Sequence, residues 1–214
     1  MDLQFRREQR MKFIKLKSMV ITCLVCLLPI FLGIALWDKL PDTMAIHFNI
    51  NNEPDNFASK GFVVFGLPLL MMLLQIISCF IYDINAYKHG ERKKFERVVK
   101  WIIPVMSIVL QIVTLGYGLG WNLDIRRVAA LIVGIVMIVI GNYLPKLDYV
   151  KNYDVDTEKA RIINRFIGVE TVIMGGLFIG SILLPPVTTV WCIILLIPYA
   201  VVGAIYGVRV TKKK

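Results

Sequence analysis

Long apolar runs alternate with short polar segments along this chain. Six of these runs are predicted to be helical spans, at residues 18–37, 62–82, 101–119, 128–144, 166–184 and 187–208. A helix of roughly 20 apolar residues crosses a hydrocarbon core of about 30 Å. The runs are continuous rather than alternating, and lipid offers the backbone no hydrogen-bond partners, so helices are favoured over a barrel. The pattern predicts an all-α, polytopic membrane protein: a six-helix transmembrane bundle that occupies residues 18–208.

Lys and Arg are divided unevenly between the segments that join these runs. Of the 25 Lys and Arg residues, 21 lie in the lead-in 1–17, the loops 83–100 and 145–165, and the tail 209–214. Because basic residues concentrate in cytoplasmic loops, these four segments and both termini are predicted to be cytoplasmic, and the loop 38–60 to be external. The net charge of +10 therefore indicates topology and contact with anionic lipid headgroups, not direct binding of nucleic acid.

The composition agrees with a membrane protein and offers no catalytic site. The chain is 57% hydrophobic and 19% charged, with a mean hydropathy of +0.67, which is too apolar to cover a soluble surface. Its two histidines, His47 and His89, fall on opposite predicted sides of the membrane. Metal-protease, serine-hydrolase and nucleotide-binding motifs are missing from the sequence. We therefore predict no enzymatic activity, no cofactor and no metal site.

The predicted external loop 38–60 is acidic. Its charged residues are Asp38, Lys39, Asp42, Glu53, Asp55 and Lys60. An acidic outward loop attracts a cationic peptide that approaches from outside, but an ordinary solvated loop explains the same charges. Residues 43–49 are predicted to form a short strand within this loop.

A few polar side chains fall inside the predicted spans. Glu170 is the only acid well inside one, and two interpretations stay open: a proton- or cation-coupled site, or an ion pair or hydrogen bond between helices, with Arg165 close by. Gln75 and Gln111 lie in the middle of their spans and Asn142 near the inner end of its own. These three are predicted to hydrogen-bond across helices.

Two glycine pairs have the G-x-x-x-G spacing that is typical of close helix packing in membranes. They are Gly176 with Gly180, and Gly203 with Gly207. The proline pair Pro185-Pro186 is predicted to end the fifth helix and to allow a tight turn into the sixth.

The external loop carries an ordered series of short motifs. They read L-P-D at 40–42, H-F-N at 47–49, E-P-D at 53–55 and S-K at 59–60. This series resembles the L-P-D…H-F-N…G-E-P-D…S-K segment of a bacterial domain of unknown function that opens the SdpI-like immunity proteins.

Two further motifs in the second half of the chain are similar to the same family. G-N-Y-L-P-K at 141–146 resembles a motif of that half, and R-I-I-N-R-F-I-G at 161–168 looks like the segment that enters the next helix. The chain departs from many members at 147–157, where it lacks a G-I-R-T-P-W-type stretch.

The resemblance implies a multi-pass immunity protein of the bacterial cell membrane. Such proteins protect the cell from a secreted membrane-active peptide toxin, and the founding member is also thought to hold a transcriptional repressor at the membrane. The candidates for contact with a cationic or amphipathic toxin are Asp42, His47, Phe48, Asn49, Glu53 and Asp55. The cytoplasmic motif comprises Asn142, Tyr143, Pro145, Lys146, Arg161 and Arg165. The alternatives are a small-solute or proton-coupled transporter and a subunit of a larger membrane complex.

Overall fold

A computed structural model describes residues 2–89, 93–146 and 157–212 of the chain. The helices are α1 Asp2–Ala35, α2 Leu67–His89, α3 Lys93–Gly118, α4 Ile125–Tyr143, α5 Thr157–Gly180 and α6 Pro186–Lys212. Between α1 and α2, the strands β1 Thr43–Phe48 and β2 Pro54–Ser59 pair into a two-stranded sheet. Within the described residues, six helical segments are long and apolar enough to cross a membrane. The predicted six-span architecture and the predicted strand are confirmed.

Several helices run beyond the ends that hydropathy predicted. The lead-in is helical from Asp2 and continuous with the first span, and α2 and α3 between them convert most of the predicted loop 83–100 into helix. Lys, Arg and Glu favour helix almost as strongly as Leu does, so a helix continues after its apolar run has ended. The predicted loop 145–165 is helical from Thr157 onward, and its residues 147–156 lie outside the described part of the chain.

The chain divides into two compact units. The first comprises Met1–Ile46, Asn56–Tyr87 and Glu96–Asn122, and the second comprises His47–Asp55, Lys88–Phe95 and Leu123–Lys214. The first unit has an apolar core built from Leu40, Met44, Val63, Val64 and Leu115. Met44 of β1 packs against α3 at Gly118, where an added Cβ would collide with the Met44 Cε atom.

In the second unit, α4 and α5 touch along a seam of four glycines. A Cβ added to Gly141 would lie 2.7 Å from the Gly168 carbonyl oxygen, and one added to Gly134 would lie 2.7 Å from the Gly175 carbonyl oxygen. The two glycines on each helix are seven residues apart, close to two full turns, and therefore share one face. Since the obstacles are backbone atoms, only glycine permits this approach.

The glycine pairs that the sequence favoured are not the ones that pack closely. No atom of the described residues lies within 4 Å of a Cβ added to Gly176 or Gly180, so close packing at that pair was a wrong prediction. Gly176 follows Gly175 and is rotated by about 100° from the seam. A Cβ added to Gly203 or Gly207 would meet side chains of α5 only at ordinary distances, 3.6 Å and 4.0 Å.

The helices α5 and α6 form the predicted hairpin. A 3₁₀ turn at Ser181–Leu183 ends α5, and α6 begins at Pro186, where the missing N–H of proline costs no helical hydrogen bond. Hydroxyl groups join the two helices: Ser181 Oγ lies 3.1 Å from Thr189 Oγ1, and Thr171 Oγ1 lies 2.7 Å from the Tyr199 hydroxyl.

Candidate recognition hairpin and intramembrane polar groups

The turn between β1 and β2 is built by two asparagines. The Asn49 side-chain oxygen accepts from the backbone N–H groups of Asn51 (2.9 Å) and Glu53 (3.0 Å), and the Asn52 N–H donates to the Asn49 carbonyl at 3.0 Å. Asn52 has a φ of 63°, in the left-handed region that asparagine tolerates better than most residues. The sequence N-I-N-N therefore favours this tight turn, which brings the ends of the two strands together.

Four polar side chains of the hairpin form two pairs, one between the two strands and one between the residues that flank the turn. His47 Nδ1 lies 2.5 Å from Asp55 Oδ1, and Asn49 Nδ2 donates to Glu53 Oε2 at 2.9 Å. Alternate residues of a strand project from the same face, so the two pairs are neighbours; we call these four residues the polar ladder. Its His47 and Asp55 side chains are 67% and 43% exposed. The ladder therefore presents two carboxylates to solvent.

The structure separates the two remaining external candidates from the ladder. Asp42 precedes β1 and pairs with Lys60, whose Nζ atom lies 3.0 Å from Asp42 Oδ1. Phe48 lies between His47 and Asn49 and, by strand alternation, belongs to the opposite face. Four of the six candidates are thus brought together.

The hairpin tip is attached to the start of α4. Asn52 Nδ2 donates to the Leu123 carbonyl at 3.1 Å, and Asn52 Oδ1 accepts from the Ile125 N–H at 2.8 Å. The sequence does not indicate this anchor, since a contact between residues more than 70 positions apart leaves no local pattern.

Asp124 is the N-cap of α4 and was also missed. Its side chain accepts from the Arg127 N–H at 3.0 Å and from the Arg126 guanidinium at 3.0 Å. Burial by itself would raise the pKa of Asp124, but these hydrogen bonds and the charges of both arginines lower that pKa below its ordinary value. An acidic residue just before an apolar run is the signal that could have identified this helix start.

Gln75 joins three helices of the first unit. Its Nε2 atom donates to Thr22 Oγ1 of α1 at 2.8 Å and to the Lys100 carbonyl of α3 at 2.9 Å. Gln75 is fully buried, so this confirms the predicted hydrogen bond across helices.

Lys100 is not the solvated loop charge that the sequence suggested. Its side chain is 1% exposed, and its Nζ atom lies 2.8 Å from Asp83 Oδ1 and 2.6 Å from Glu96 Oε1. Its charge is therefore compensated inside the first unit rather than presented to lipid headgroups. Two acids at the ends of neighbouring helices make burial of the ammonium group tolerable.

Gln111 compensates an irregularity at the start of the second span. Phe62–Gly66 form a π-helical turn in which the Leu67 N–H bonds to the Phe62 carbonyl. The next carbonyl in that pattern, at Val63, would require an N–H from Pro68, which has none. Gln111 Nε2 supplies the donor at 3.0 Å from the Val63 oxygen. The predicted cross-helix bond of Gln111 is confirmed, and it supplies the donor that Pro68 lacks.

Glu170 lies in α5 beside α6. Its Oε2 atom is buried and has no hydrogen-bond partner among the described residues, and the nearby Gly203 leaves room for it, since an added Cβ there would lie 3.6 Å away. Arg165 is exposed. At this oxygen, the suggested ion pair or hydrogen bond between helices is therefore not formed.

The predicted cytoplasmic motif closes the end of α4. Lys146 Nζ lies 3.4 Å from Asn142 Oδ1 and 5.1 Å from the centre of the Tyr143 ring. Within the described residues, Asn142 thus hydrogen-bonds at its own end of the helix and not to a neighbouring helix, which corrects the prediction. Pro145 packs on Gly168 of α5, where an added Cβ would lie 2.8 Å from Pro145 Cδ. Arg161 is exposed on α5, as is Arg165.

Comparisons with known proteins place these features in context. The family described as a domain of unknown function (DUF1648) matches residues 24–72, which include all six external candidates. The chain is similar to the Immunity protein SdpI of Bacillus subtilis (strain 168), with 26% identity over 127 residues, or 59% of this chain and 59% of that protein. The match thus spans less than two thirds of the relative's length. No solved structure matches the chain.

The comparisons agree with the motifs and with the six apolar helices. The DUF1648 match includes the hairpin, and the alignment with SdpI covers more of the chain than that match does. The chain is therefore a multi-pass protein of the cell membrane that is similar to the immunity protein SdpI.

Proposed function

We propose that this protein is a membrane immunity protein that protects a bacterial cell from a secreted, membrane-active peptide toxin. The likeness to a protein named for immunity supports the general role. The observation that carries the finer proposal is the polar ladder, which gathers two exposed carboxylates on one face of the hairpin. In this proposal the ladder faces outward, the side that the distribution of Lys and Arg predicts, and it meets a cationic or amphipathic peptide.

The exposure of the ladder determines what its charges contribute. With His47 67% and Asp55 43% exposed, water and salt screen the carboxylates of the ladder, and an exposed pair of opposite charges contributes about 0–1 kcal/mol. Such charges select and orient a cationic partner more than they hold it. Most of the affinity then comes from partition of the amphipathic peptide into the adjacent bilayer. In this proposal the ladder binds the toxin before the toxin disrupts the membrane.

The test is protection of a sensitive bacterial strain that expresses the chain. Cells are challenged with the secreted peptides of the organism of origin, and membrane levels are matched by immunoblot. Wild-type protein should protect, and the double variant Glu53→Gln/Asp55→Asn should protect less. Asp38→Asn is the matched control, because it removes an exposed acid from the same loop but outside the ladder. No protection by wild-type protein contradicts the immunity role; equal protection by all three contradicts the role of the ladder.

We propose, further, that the predicted cytoplasmic motif holds a transcriptional repressor at the membrane. Lys146, Arg161 and Arg165 would offer the basic contacts for it. Affinity purification of the full chain from the native host should then recover a DNA-binding protein, and Arg161→Glu/Arg165→Glu should lose it. A repressor that stays bound to the double variant would contradict this part.

A specific observation favours transport as the second candidate. The buried Glu170 Oε2 has no hydrogen-bond partner among the residues that the structure describes, and an unpaired carboxyl inside a span is costly unless it binds a proton or a cation. Uptake into proteoliposomes that depends on a proton gradient and is lost in Glu170→Gln would establish this function. Equal uptake by the variant would reject a coupling role for Glu170. A stoichiometric membrane partner in the purified protein would instead support the third alternative, a subunit of a larger complex.

A further inference from the structure

The start of α4 depends on a residue that is distant in sequence. The first N–H groups of a helix have no partner within the helix. Asp124 satisfies the N–H of Arg127, as a local cap does. The N–H of Ile125, the first residue of α4, is instead satisfied by Asn52 Oδ1 at 2.8 Å. The hairpin tip therefore completes the cap of α4.

Asn52 is suited to this contact in its backbone and in its side chain. Its φ of 63° turns the chain at the tip, and its amide uses both polar atoms: the oxygen accepts from Ile125 while the nitrogen donates to the Leu123 carbonyl at 3.1 Å. Two bonds of opposite direction to one backbone segment fix both the position and the orientation of the side chain. Glycine would keep the turn but lose both bonds, and aspartate would keep only the acceptor.

The polar ladder begins next to this anchor. Glu53 follows Asn52 directly, and Asn49 accepts the N–H of Asn52 at 3.0 Å. The Asn49–Glu53 and His47–Asp55 pairs then continue along the strands. A two-stranded hairpin is only marginally stable without external support. The anchor on α4 therefore determines the position of the ladder.

We propose that Asn52 is the positioning residue of the recognition hairpin: its bidentate bond to Leu123 and Ile125 holds the polar ladder in a fixed place on the first turn of α4. The part of this proposal that concerns toxin protection rests on the proposed function, whereas the contact between Asn52 and α4 is independent of it. A peptide that binds the ladder then also orders the start of α4, because the two share this contact.

The first experiment measures the anchor without any ligand. Full-length protein in lipid nanodiscs is compared by hydrogen exchange over residues 123–128 for wild type, Asn52→Gly and Asn51→Gly. Asn51 is the matched control because it is the neighbouring exposed asparagine of the same turn. Loss of the bond should speed exchange at Ile125 by roughly fivefold to tenfold in Asn52→Gly and leave Asn51→Gly at the wild-type rate. Wild-type exchange in Asn52→Gly overturns the proposal.

The second experiment measures protection with the same variants and with Asn52→Asp. Asn52→Gly should fall well below wild type at equal membrane level and with an unchanged thermal midpoint, and Asn52→Asp should recover part of the loss because it restores the acceptor for Ile125. Full protection by Asn52→Gly overturns the positioning role even if exchange is faster. If wild-type protein does not protect, the proposed function fails, while hydrogen exchange still decides whether the anchor exists.

Discussion

The glycine seam between α4 and α5 allows a stability prediction to be worked from distances. In Gly141→Ala, the new methyl group would stand 2.7 Å from the Gly168 carbonyl oxygen and 2.9 Å from the Val172 backbone nitrogen. Ordinary van der Waals contact begins at 3.4 Å, so the two helices must separate locally by about 0.7 Å. Neither obstacle can move away by a change of rotamer, because both belong to the backbone of α5.

The separation determines the size of the effect. A gap of 0.5–1 Å removes roughly a quarter to a half of the dispersion energy of each contact along the seam, and overpacking a close interface typically costs about 1–3 kcal/mol. We expect Gly141→Ala to lower the free energy of unfolding by about 2 kcal/mol. Gly168→Ala meets the same contact from the other side, so the double variant should cost less than the sum of the two single changes.

Equilibrium unfolding in mixed detergent micelles measures this free energy, with tryptophan fluorescence as the signal. Gly176→Ala is the matched control, because its methyl group meets nothing within 4 Å on the same helix pair, and it should leave stability unchanged or slightly raised. If the free energies of unfolding of Gly141→Ala and Gly176→Ala agree within about 0.5 kcal/mol, the two helices are not as close at the seam as these distances state.

Three further predictions concern polar groups, and each is measured as the free energy of unfolding. Lys100→Met leaves two carboxylates facing each other and should cost about 3 kcal/mol, whereas Lys60→Met, which breaks a pair whose Asp42 carboxylate is 96% exposed, should cost less than about 1 kcal/mol; equal losses would contradict the burial of Lys100. Gln111→Leu should be destabilising in wild-type protein but nearly neutral in Pro68→Ala, where residue 68 regains the N–H that Gln111 replaces; the same loss in both would refute the role of the π-helical turn. The lowered pKa of Asp124 means that its charged form is favoured by folding, so this contribution is complete above its ordinary value of 3.8 and is lost as the pH falls through the lowered pKa. Asp124→Asn should lack that acid step, and a pH profile parallel to wild type would contradict the assignment.

Local patterns determined the six spans and the strand at β1, but they missed β2 and left the ends of the helices open. Apolar runs defined the spans because lipid requires a helix of that length. The helix ends were missed at α1, α2, α3 and α5, where charged residues continue the helix past the apolar run. The start of α4 depends on Asp124 and on Asn52, of which only the first has a signal next to it in sequence.

The sequence by itself determined the class of the protein, the six spans and the motifs that resemble those of SdpI-like proteins, because hydropathy and motif spacing are local properties of the chain. Only the tertiary structure decided which polar groups meet. It paired Gln111 with a carbonyl that a proline leaves free, buried Lys100 between two acids, and left Glu170 Oε2 without a hydrogen-bond partner in the described part of the chain. It also placed Gly141, and not Gly176, at the close contact between two helices. Each of these outcomes depends on which faces of two helices touch, and spacing within one helix does not specify the face of its neighbour.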